Sequence, residues 1–297
     1  MRLILQRCAA ACALTVLLSA GIARGQNPDT IAPEESTAMA KRIVNQLIQA
    51  LGGSLYLGTT SRECSGRRVL IGHNGELAGY IAIRDYWQYP DKDRIEYLAH
   101  SRNTLLGFII GVQDLDITHG GEVITLFSGD QGWVMDRGGV SEMPATTLSQ
   151  FQEALKQNVD NLLRFRIKEP ETMFRWAGLG TMDLHPVDFV EITDKDGLTV
   201  KLAVDKSTHL LVRSMVVTND EEFNQQREDV GIYTNYQAKG GVQVPMQVTR
   251  ERDGRRIQQV FYDDCKPNPG LPADFFTRAA LDQRFKETKG KSPKESK

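Results

Sequence analysis

The feature that most constrains the fold is a two-residue alternation of apolar and polar side chains through most of the chain after residue 77. It is clearest in LTVKLAV (198–204), where leucine and valine alternate with threonine, lysine and alanine. Successive side chains of a strand point to opposite faces, so this alternation predicts strands with one apolar and one polar face. Glycine-bearing pairs such as Asp196-Gly197 and Asp253-Gly254 predict tight turns between them. We expect about eleven strands in one antiparallel sheet, and a sheet of that size tends to curl.

Two segments with helical periodicity interrupt the strands. In PEESTAMAKRIVNQLIQALGG (33–53), the apolar residues fall on one face of a helix that Gly52-Gly53 ends. In TTLSQFQEALKQNVDNLLRF (146–165), Thr147 and Gln150 have the spacing of a capping box. We predict an α+β, mostly β protein with a single domain over residues 26–282. Its large curved antiparallel sheet forms an incomplete half-barrel, and the helices pack on the concave face.

Both ends of the chain predict segments outside that domain. Arg2 and Arg7 precede an apolar stretch of about 15 residues, which suits a signal peptide and is short for a membrane span. We therefore predict a signal peptide at 1–25, cleaved after Gly25 or alternatively after Ala23, and a periplasmic location. No later stretch predicts a transmembrane segment. The basic segment 283–297 has too few large apolar residues to order itself and predicts a disordered tail.

Cysteine usage agrees with export. Cys8 and Cys12 lie in the predicted signal peptide, which leaves Cys64 and Cys265 as one candidate disulfide in an oxidising compartment. We predict this bond because the first and last strands of an incomplete barrel could meet at its seam. The alternative is two separate thiols.

Motifs for catalysis are absent from the sequence. It contains no nucleophile-elbow, zinc-protease, P-loop or dinucleotide-binding pattern, and its five histidines lie in five different segments. Asp114, Asp116 and His119 give the best hint of a metal site, but a polar loop explains them better. We predict no catalytic residue, no metal, no cofactor and no enzymatic activity. The net charge of −2 also argues against a nucleic-acid partner.

One apolar segment is too rich in glycine for a stable helix and too short for a membrane span. Residues 105–112 contain two glycines, Gly107 and Gly111, among large hydrophobic residues. A mobile flap over an apolar cavity is one interpretation, and an ordinary buried strand or turn is the other. The candidate ligand-binding residues of this segment are Leu105, Leu106, Phe108, Ile109 and Ile110.

The hairpin GDQGWVMDRGGVSEMP (129–144) and the helix that follows it carry a resemblance to a known family. Together with the N-terminal helix ending in Gly-Gly, this order of elements resembles the LolA/LolB-like periplasmic lipoprotein carriers. The resemblance implies a half-barrel with Trp133 packed at the cavity or in the core, while Asp130 forms the turn. Structural packing alone is the alternative role for Trp133.

These observations predict a non-enzymatic periplasmic protein that binds an apolar ligand, either a lipid or the acyl chain of a lipoprotein, as in lipoprotein sorting. Its partner would be an apolar small molecule or an acylated protein. An envelope interaction or sensor module that binds a protein partner is the first alternative, and a hydrolase without a recognisable motif is the second. A deep apolar pocket favours the lipid, whereas a shallow groove beside an unpaired edge strand favours a peptide.

Overall fold

The computed structural model describes residues 27–71, 75–98, 122–220 and 225–289. They form a single antiparallel sheet of thirteen strands that curves without closing, which confirms the predicted half-barrel. The strands are β1 (Ser61–Ile71), β2 (Leu77–Gln88), β3 (Lys92–Leu98), β4 (Glu122–Ser128), β5 (Gln131–Asp136), β6 (Gly139–Glu142), β7 (Met173–Met182), β8 (His185–Thr193), β9 (Thr199–Asp205), β10 (Leu211–Asp220), β11 (Gln225–Lys239), β12 (Val242–Arg252) and β13 (Arg255–Pro267).

Five α-helices accompany the sheet within the described ranges. They are α1 (Pro33–Leu51), α2 (Ser54–Gly58), α3 (Ala145–Gln157), α4 (Val159–Arg164) and α5 (Arg278–Lys289), with short 3-10 turns at Pro28–Thr30 and Arg166–Lys168. None of these helices is long and apolar enough to cross a membrane.

The sheet consists of two meanders joined at its centre. Strands β1–β6 form the first meander and β7–β13 the second, and the spatial order 6-5-4-3-2-1-13-12-11-10-9-8-7 leaves β6 and β7 at the two edges. The Cys64–Cys265 disulfide is present, and its Cα atoms lie 4.1 Å apart at paired positions of β1 and β13. The predicted bond is confirmed, but its predicted place is wrong. It joins two neighbouring strands in the middle of the sheet, because the open edges belong to β6 and β7.

Strand β7 does not follow the alternating sequence pattern, which accounts for one of the two strands beyond the expected eleven. A register shift between Trp176 and Leu179 interrupts its pairing with β8, and Gly178 and Gly180 carry no side chain that could alternate. Burial of Trp176 nevertheless anchors β7 in the core.

Helix α1 fills the concave side of the second meander. Its buried face (Ile43, Val44, Leu47, Ile48 and Leu51) is the one that the periodicity predicts. It packs against inward side chains of β8 and β9 in the largest apolar cluster. The helix ends at Gly52, whose φ of 126° and close approach to the Gly241 carbonyl oxygen, 2.7 Å from where a Cβ would be, exclude a larger residue.

The second predicted helix is divided into α3 and α4. Asn158 separates them and caps α4 by accepting a hydrogen bond from the Asn161 backbone N–H at 3.0 Å. The predicted capping box of Thr147 and Gln150 is wrong, because α3 begins at Ala145 after Pro144 and Thr147 lies within the first turn. Helix α3 packs on the concave side of the first meander through Leu148 and Phe151, whereas the buried apolar residues of α4 belong to the same apolar cluster as α1.

Helix α5 lies on the convex face, so not every helix packs on the concave side as predicted. Its Leu281 is fully buried against Ile124 and Leu126 of β4. Arg284 donates two hydrogen bonds to Glu122, at 2.9 and 2.8 Å. The predicted tail over 283–297 therefore starts too early, because residues 283–289 gain this packing and pairing. Residues 290–297 and the predicted signal peptide at 1–25 lie outside the described residues.

Candidate functional site

A cavity of about 630 Å³ lies between the concave face of the sheet and the helices α3 and α4. This volume is within the range of roughly 300–1,000 Å³ that is usual for small-molecule sites. Strands from both meanders contribute to its walls. The apolar part of the lining includes Ile95, Phe127, Phe151, Leu155, Val230 and Val248.

The first meander supplies a charged floor to this cavity. Arg62 and Arg68 of β1, Asp85 of β2 and Asp93 of β3 occupy inward positions of their strands and all line the cavity. Asp85 and Asp93 are only 5% and 7% exposed. Carboxylates are rarely this buried unless they are paired or serve a function, so this floor sets the cavity apart from an ordinary apolar core.

Asp160 of α4 is the centre of one hydrogen-bonded group at the cavity wall. Its two carboxylate oxygens accept hydrogen bonds from the Tyr56 hydroxyl at 2.8 Å and the Tyr89 hydroxyl at 3.1 Å. Guanidinium nitrogens of Arg164 and Arg62 lie 3.6 and 3.9 Å from it. Burial opposes ionisation, but the two arginines and the two hydroxyls lower the pKa of Asp160 below its usual value. Asp160 is therefore a fully partnered carboxylate.

Asp85 and Asp93 behave in the opposite way. Burial raises the pKa of Asp85, although Arg62 and a hydrogen bond from the Tyr262 hydroxyl act against the rise. The pKa of Asp93 lies well above its usual value, first because of burial and second because of the negative charge of Asp85. The pair therefore keeps a proton to a higher pH than two isolated aspartates would.

Three polar atoms of the floor lack a hydrogen-bond partner among the described residues. They are Oδ1 of Asp85, Oδ1 of Asp93 and Nε of Arg62. Buried polar atoms in folded proteins are nearly always partnered, and an unpartnered one calls for an explanation. Two acceptors and one donor thus remain free at the polar end of the cavity.

Helix α3 forms the roof and is held at both sides. Phe151 stacks on Phe127 of β4 with 4.0 Å between ring centroids. On the opposite side, Glu153 pairs with Arg227 of β11, which also lies 3.1 Å from Asp229. The roof therefore joins the two meanders by an aromatic contact on one side and ion pairs on the other.

A second cavity of about 660 Å³ lies at the edge of the sheet, where β7 meets the start of α1. The charged residues that line it include Arg175 and Glu191, which pair at 2.7 Å. Half of the Arg175 side chain is exposed. Because its charges are partnered at the surface, we place the candidate site in the cavity beneath α3.

The residues predicted from sequence do not form this site. Leu105, Leu106, Phe108, Ile109 and Ile110 lie outside the described residues, so the flap stays a prediction. Trp133 is half-buried on the convex face, where it packs against the cluster that holds α5. Placing Trp133 at the cavity is therefore wrong and its structural role is the one observed, because β5 turns Val134 inward and Trp133 outward. Asp130 lies in the β4–β5 turn as expected.

The charged floor was missed, although the alternation contained a signal for it. In β2, Asp85 follows the apolar Ile81 and Ile83 at two-residue spacing and therefore lies on their face of the strand. In β3, Asp93 is two residues from Ile95 and lies on the same face as Ile95. A charged residue at an inward position is the signal. The described residues contain no group of three or more His, Cys, Asp or Glu side chains placed to hold a metal ion.

Comparison with known proteins gives structural neighbours but no sequence relatives. No protein-family model and no curated protein matches the chain. A DUF1329 family protein from Desulfovibrio piger aligns with a TM-score of 0.53 and 14% identity, over 82% of this chain and 98% of its own. A domain described as outer membrane lipoprotein-sorting, from Vibrio parahaemolyticus, aligns with a TM-score of 0.51 and 10% identity, over 84% and 100%.

A third structure aligns over a similar share of both chains, with a lower TM-score. A LolA superfamily protein from Nitrosomonas europaea aligns over 82% of this chain and 99% of its own, with 12% identity and a TM-score of 0.49. At these identities the likeness concerns the fold alone. The chain has a LolA/LolB-like fold, as its resemblance implied.

Proposed function

We propose that the protein is an exported envelope protein that holds an apolar ligand, a lipid or the acyl chain of a lipoprotein, in the cavity beneath α3. The observation that carries this proposal is a cavity of about 630 Å³ whose lining is more apolar than polar. The lipoprotein-sorting description of one structural neighbour agrees with it. The disulfide agrees with export to an oxidising compartment.

The cavity favours a lipid over the peptide of the alternative hypothesis. A peptide added to a sheet edge needs a free strand and a shallow groove. Strands β6 and β7 are such edges within the described sheet, but neither strand contributes a residue to the lining of the cavity beneath α3. Ligand burial between the sheet and the roof therefore explains more of the structure than strand addition does.

Filling the cavity tests the proposal. We expect Ile95→Trp, at the apolar wall, to weaken binding of the neutral fluorophore N-phenyl-naphthylamine by about tenfold or more, since the indole occupies ligand space. Val217→Trp is the matched control, because Val217 lies on β10, is 53% exposed and does not line the cavity. Fluorescence titration measures both. Equal affinities of the two variants, or no binding by the unchanged protein, would refute the proposal.

We propose further that the protein acts by binding and has no chemistry of its own. Asp85 and Asp93 are the residues most suited to acid–base work, because both are buried carboxyls with raised pKa values. Incubation with p-nitrophenyl esters of different chain length should give no turnover above background. Turnover that Asp93→Asn abolishes would reassign the cavity to a hydrolase.

A further inference from the structure

We infer that the charged floor selects a ligand with an uncharged, hydroxyl-bearing headgroup, such as an acylglycerol, and that Asp85, Asp93 and Arg62 bind this headgroup. The inference rests on the proposed function and specifies its ligand class. It follows from the charge balance of the cavity lining, from the free hydrogen-bonding atoms of the floor and from the place of those atoms beside the apolar wall.

The charges around the cavity are balanced in number. Six arginines and six Asp or Glu residues line it, so the lining has no net charge when all twelve are ionised. A carboxylate headgroup only accepts hydrogen bonds and an ammonium headgroup only donates them, so neither could pair with both the free aspartate oxygens and the free Arg62 nitrogen. The charged residues of the lining are Arg62, Arg68, Arg164, Arg227, Arg250, Arg252, Asp85, Asp93, Glu153, Asp160, Asp229 and Glu251.

The partnered groups do not compete for the ligand. Asp160 is occupied by two tyrosine hydroxyls and lies close to two arginines. Arg68 donates a hydrogen bond to the Tyr97 hydroxyl at 3.0 Å. Among the described residues that line the cavity, the unpartnered atoms belong to Asp85, Asp93, Arg62 and Arg164, and the first three lie together in the floor.

The free atoms match a hydroxyl group in kind. Asp85 Oδ1 and Asp93 Oδ1 need donors, while Arg62 Nε needs an acceptor. A hydroxyl both donates and accepts, so two neighbouring hydroxyls could serve all three atoms. A hydrocarbon end would leave them unpartnered, and sites that contain buried hydrogen-bonding groups reject ligands that cannot pair with them.

The neighbours of these atoms give the site its amphiphilic form. Asp93 and Ile95 stand two residues apart on β3 and both face the cavity. Ile95 packs with the apolar cluster that contains Phe127 and Phe151. A headgroup bound at Asp93 would therefore place its acyl chain directly along the apolar wall and under the roof.

The test compares three amphiphiles of one chain length. Monooleoylglycerol, oleate and oleylamine are used below their aggregation concentrations to displace N-phenyl-naphthylamine from the full-length protein. We expect monooleoylglycerol to bind at least about tenfold more tightly than the other two, as hydrogen-bond-specific sites commonly achieve. A preference for oleate or oleylamine, or equal displacement by all three, would overturn the inference.

Variants separate this inference from the proposed function. Asp93→Leu removes a free acceptor, so the preference for monooleoylglycerol should fall at least about tenfold while the fluorophore still binds. Asp263→Leu is the control, because Asp263 lies on β13 with 64% of its side chain exposed. An unchanged preference in Asp93→Leu would contradict the headgroup site alone. Failure of the unchanged protein to bind the fluorophore would instead contradict the proposed function.

Discussion

Strands β8 and β9 of the second meander and strands β1–β3 of the first share one strand pattern but have different interiors. Under α1, the second meander turns Val190, Ile192, Val200 and Leu202 inward, and all four are completely buried. The first meander turns arginine and aspartate inward at equivalent places in its strands. The alternation therefore predicts which residues face inward. The type of residue at those positions then determines whether the interior is closely packed or contains a cavity.

The carboxyl groups show the same contrast. Asp205, at the end of β9, accepts hydrogen bonds from the backbone and hydroxyl groups of Ser207 and Thr208 at 2.6–3.1 Å. Burial opposes its ionisation, but these donors lower the pKa of Asp205 to about 2. Among the described residues, Oδ1 of Asp93 in the first meander has no donor, and burial raises the pKa of this residue. In the second meander a carboxylate thus stabilises a turn, whereas in the first meander burial disfavours the ionised form of two carboxyl groups.

Separating the two meanders should have the largest effect on stability. The Cys64–Cys265 bond joins positions 201 residues apart. The Cys64→Ser, Cys265→Ser double variant should lose about 4 kcal/mol of unfolding free energy, because its denatured chain is no longer constrained. Urea unfolding of the variant and of the oxidised and reduced parent measures this loss. Identical midpoints for the oxidised and reduced protein would show that strand pairing alone holds the meanders together.

Truncation within the solid interior should have the next largest effect. Leu202→Ala, beneath α1, should cost about 3 kcal/mol because the closed packing leaves a void. Ile95→Ala should cost about 1 kcal/mol, since Ile95 borders an existing cavity and loses fewer contacts. Urea unfolding of both variants gives the difference. Equal losses would mean that the two interiors are packed alike.

Removing the charge of Asp205 should cost about 2 kcal/mol near neutral pH, as a pKa lowered from 3.8 to about 2 implies. The lowered pKa means that the native state releases its proton more readily than the unfolded state. The stabilisation is therefore complete above about pH 4 and is lost as the pH falls toward 2. Asp205→Asn and the parent should converge in that range when unfolding is followed at several pH values. A constant difference would assign the effect to packing.

The smallest effect should have the opposite sign. Asp93→Asn should stabilise the protein by about 1 kcal/mol near neutral pH, because it removes a poorly solvated charge. The native pKa is raised, so the native state binds the proton more tightly than the unfolded state. The penalty is absent below about pH 4 and grows as the pH rises through the raised pKa. Unfolding at acidic and neutral pH should show the gain only at the higher pH. Destabilisation at every pH would mean that the carboxylate is well partnered.

Part of this organisation can be predicted from the sequence. The spacing in 33–53 identifies α1 and its buried face, and the alternation identifies most strands, because both are local periodicities. The same alternation places Asp85 and Asp93 on inward faces once they are compared with neighbouring isoleucines. The inward charges could therefore have been found.

Other features depend on partners that a local pattern does not specify. Strand β4 is apolar on both faces, with Val123 and Phe127 toward the cavity and Ile124 and Leu126 toward α5. Its pattern therefore cannot tell the concave side from the convex side, and the same holds for β5, where Val134 and Trp133 belong to apolar clusters on opposite faces. The pairing of β1 with β13 joins distant segments, and no periodicity indicates it.

The central position of the β1–β13 pair has a consequence for the order in which the sheet forms. Each meander can form from strands that are neighbours in the chain, and all their connections except the one between β3 and β4 are short and close quickly. The pair between them closes across about 200 residues, so it carries the highest entropic cost of any pairing in the sheet. Until it forms, β1 and β13 are exposed edges. During folding, β1 and β13 are thus the strands whose backbone hydrogen-bonding groups stay unpaired longest, although they become the centre of the finished sheet.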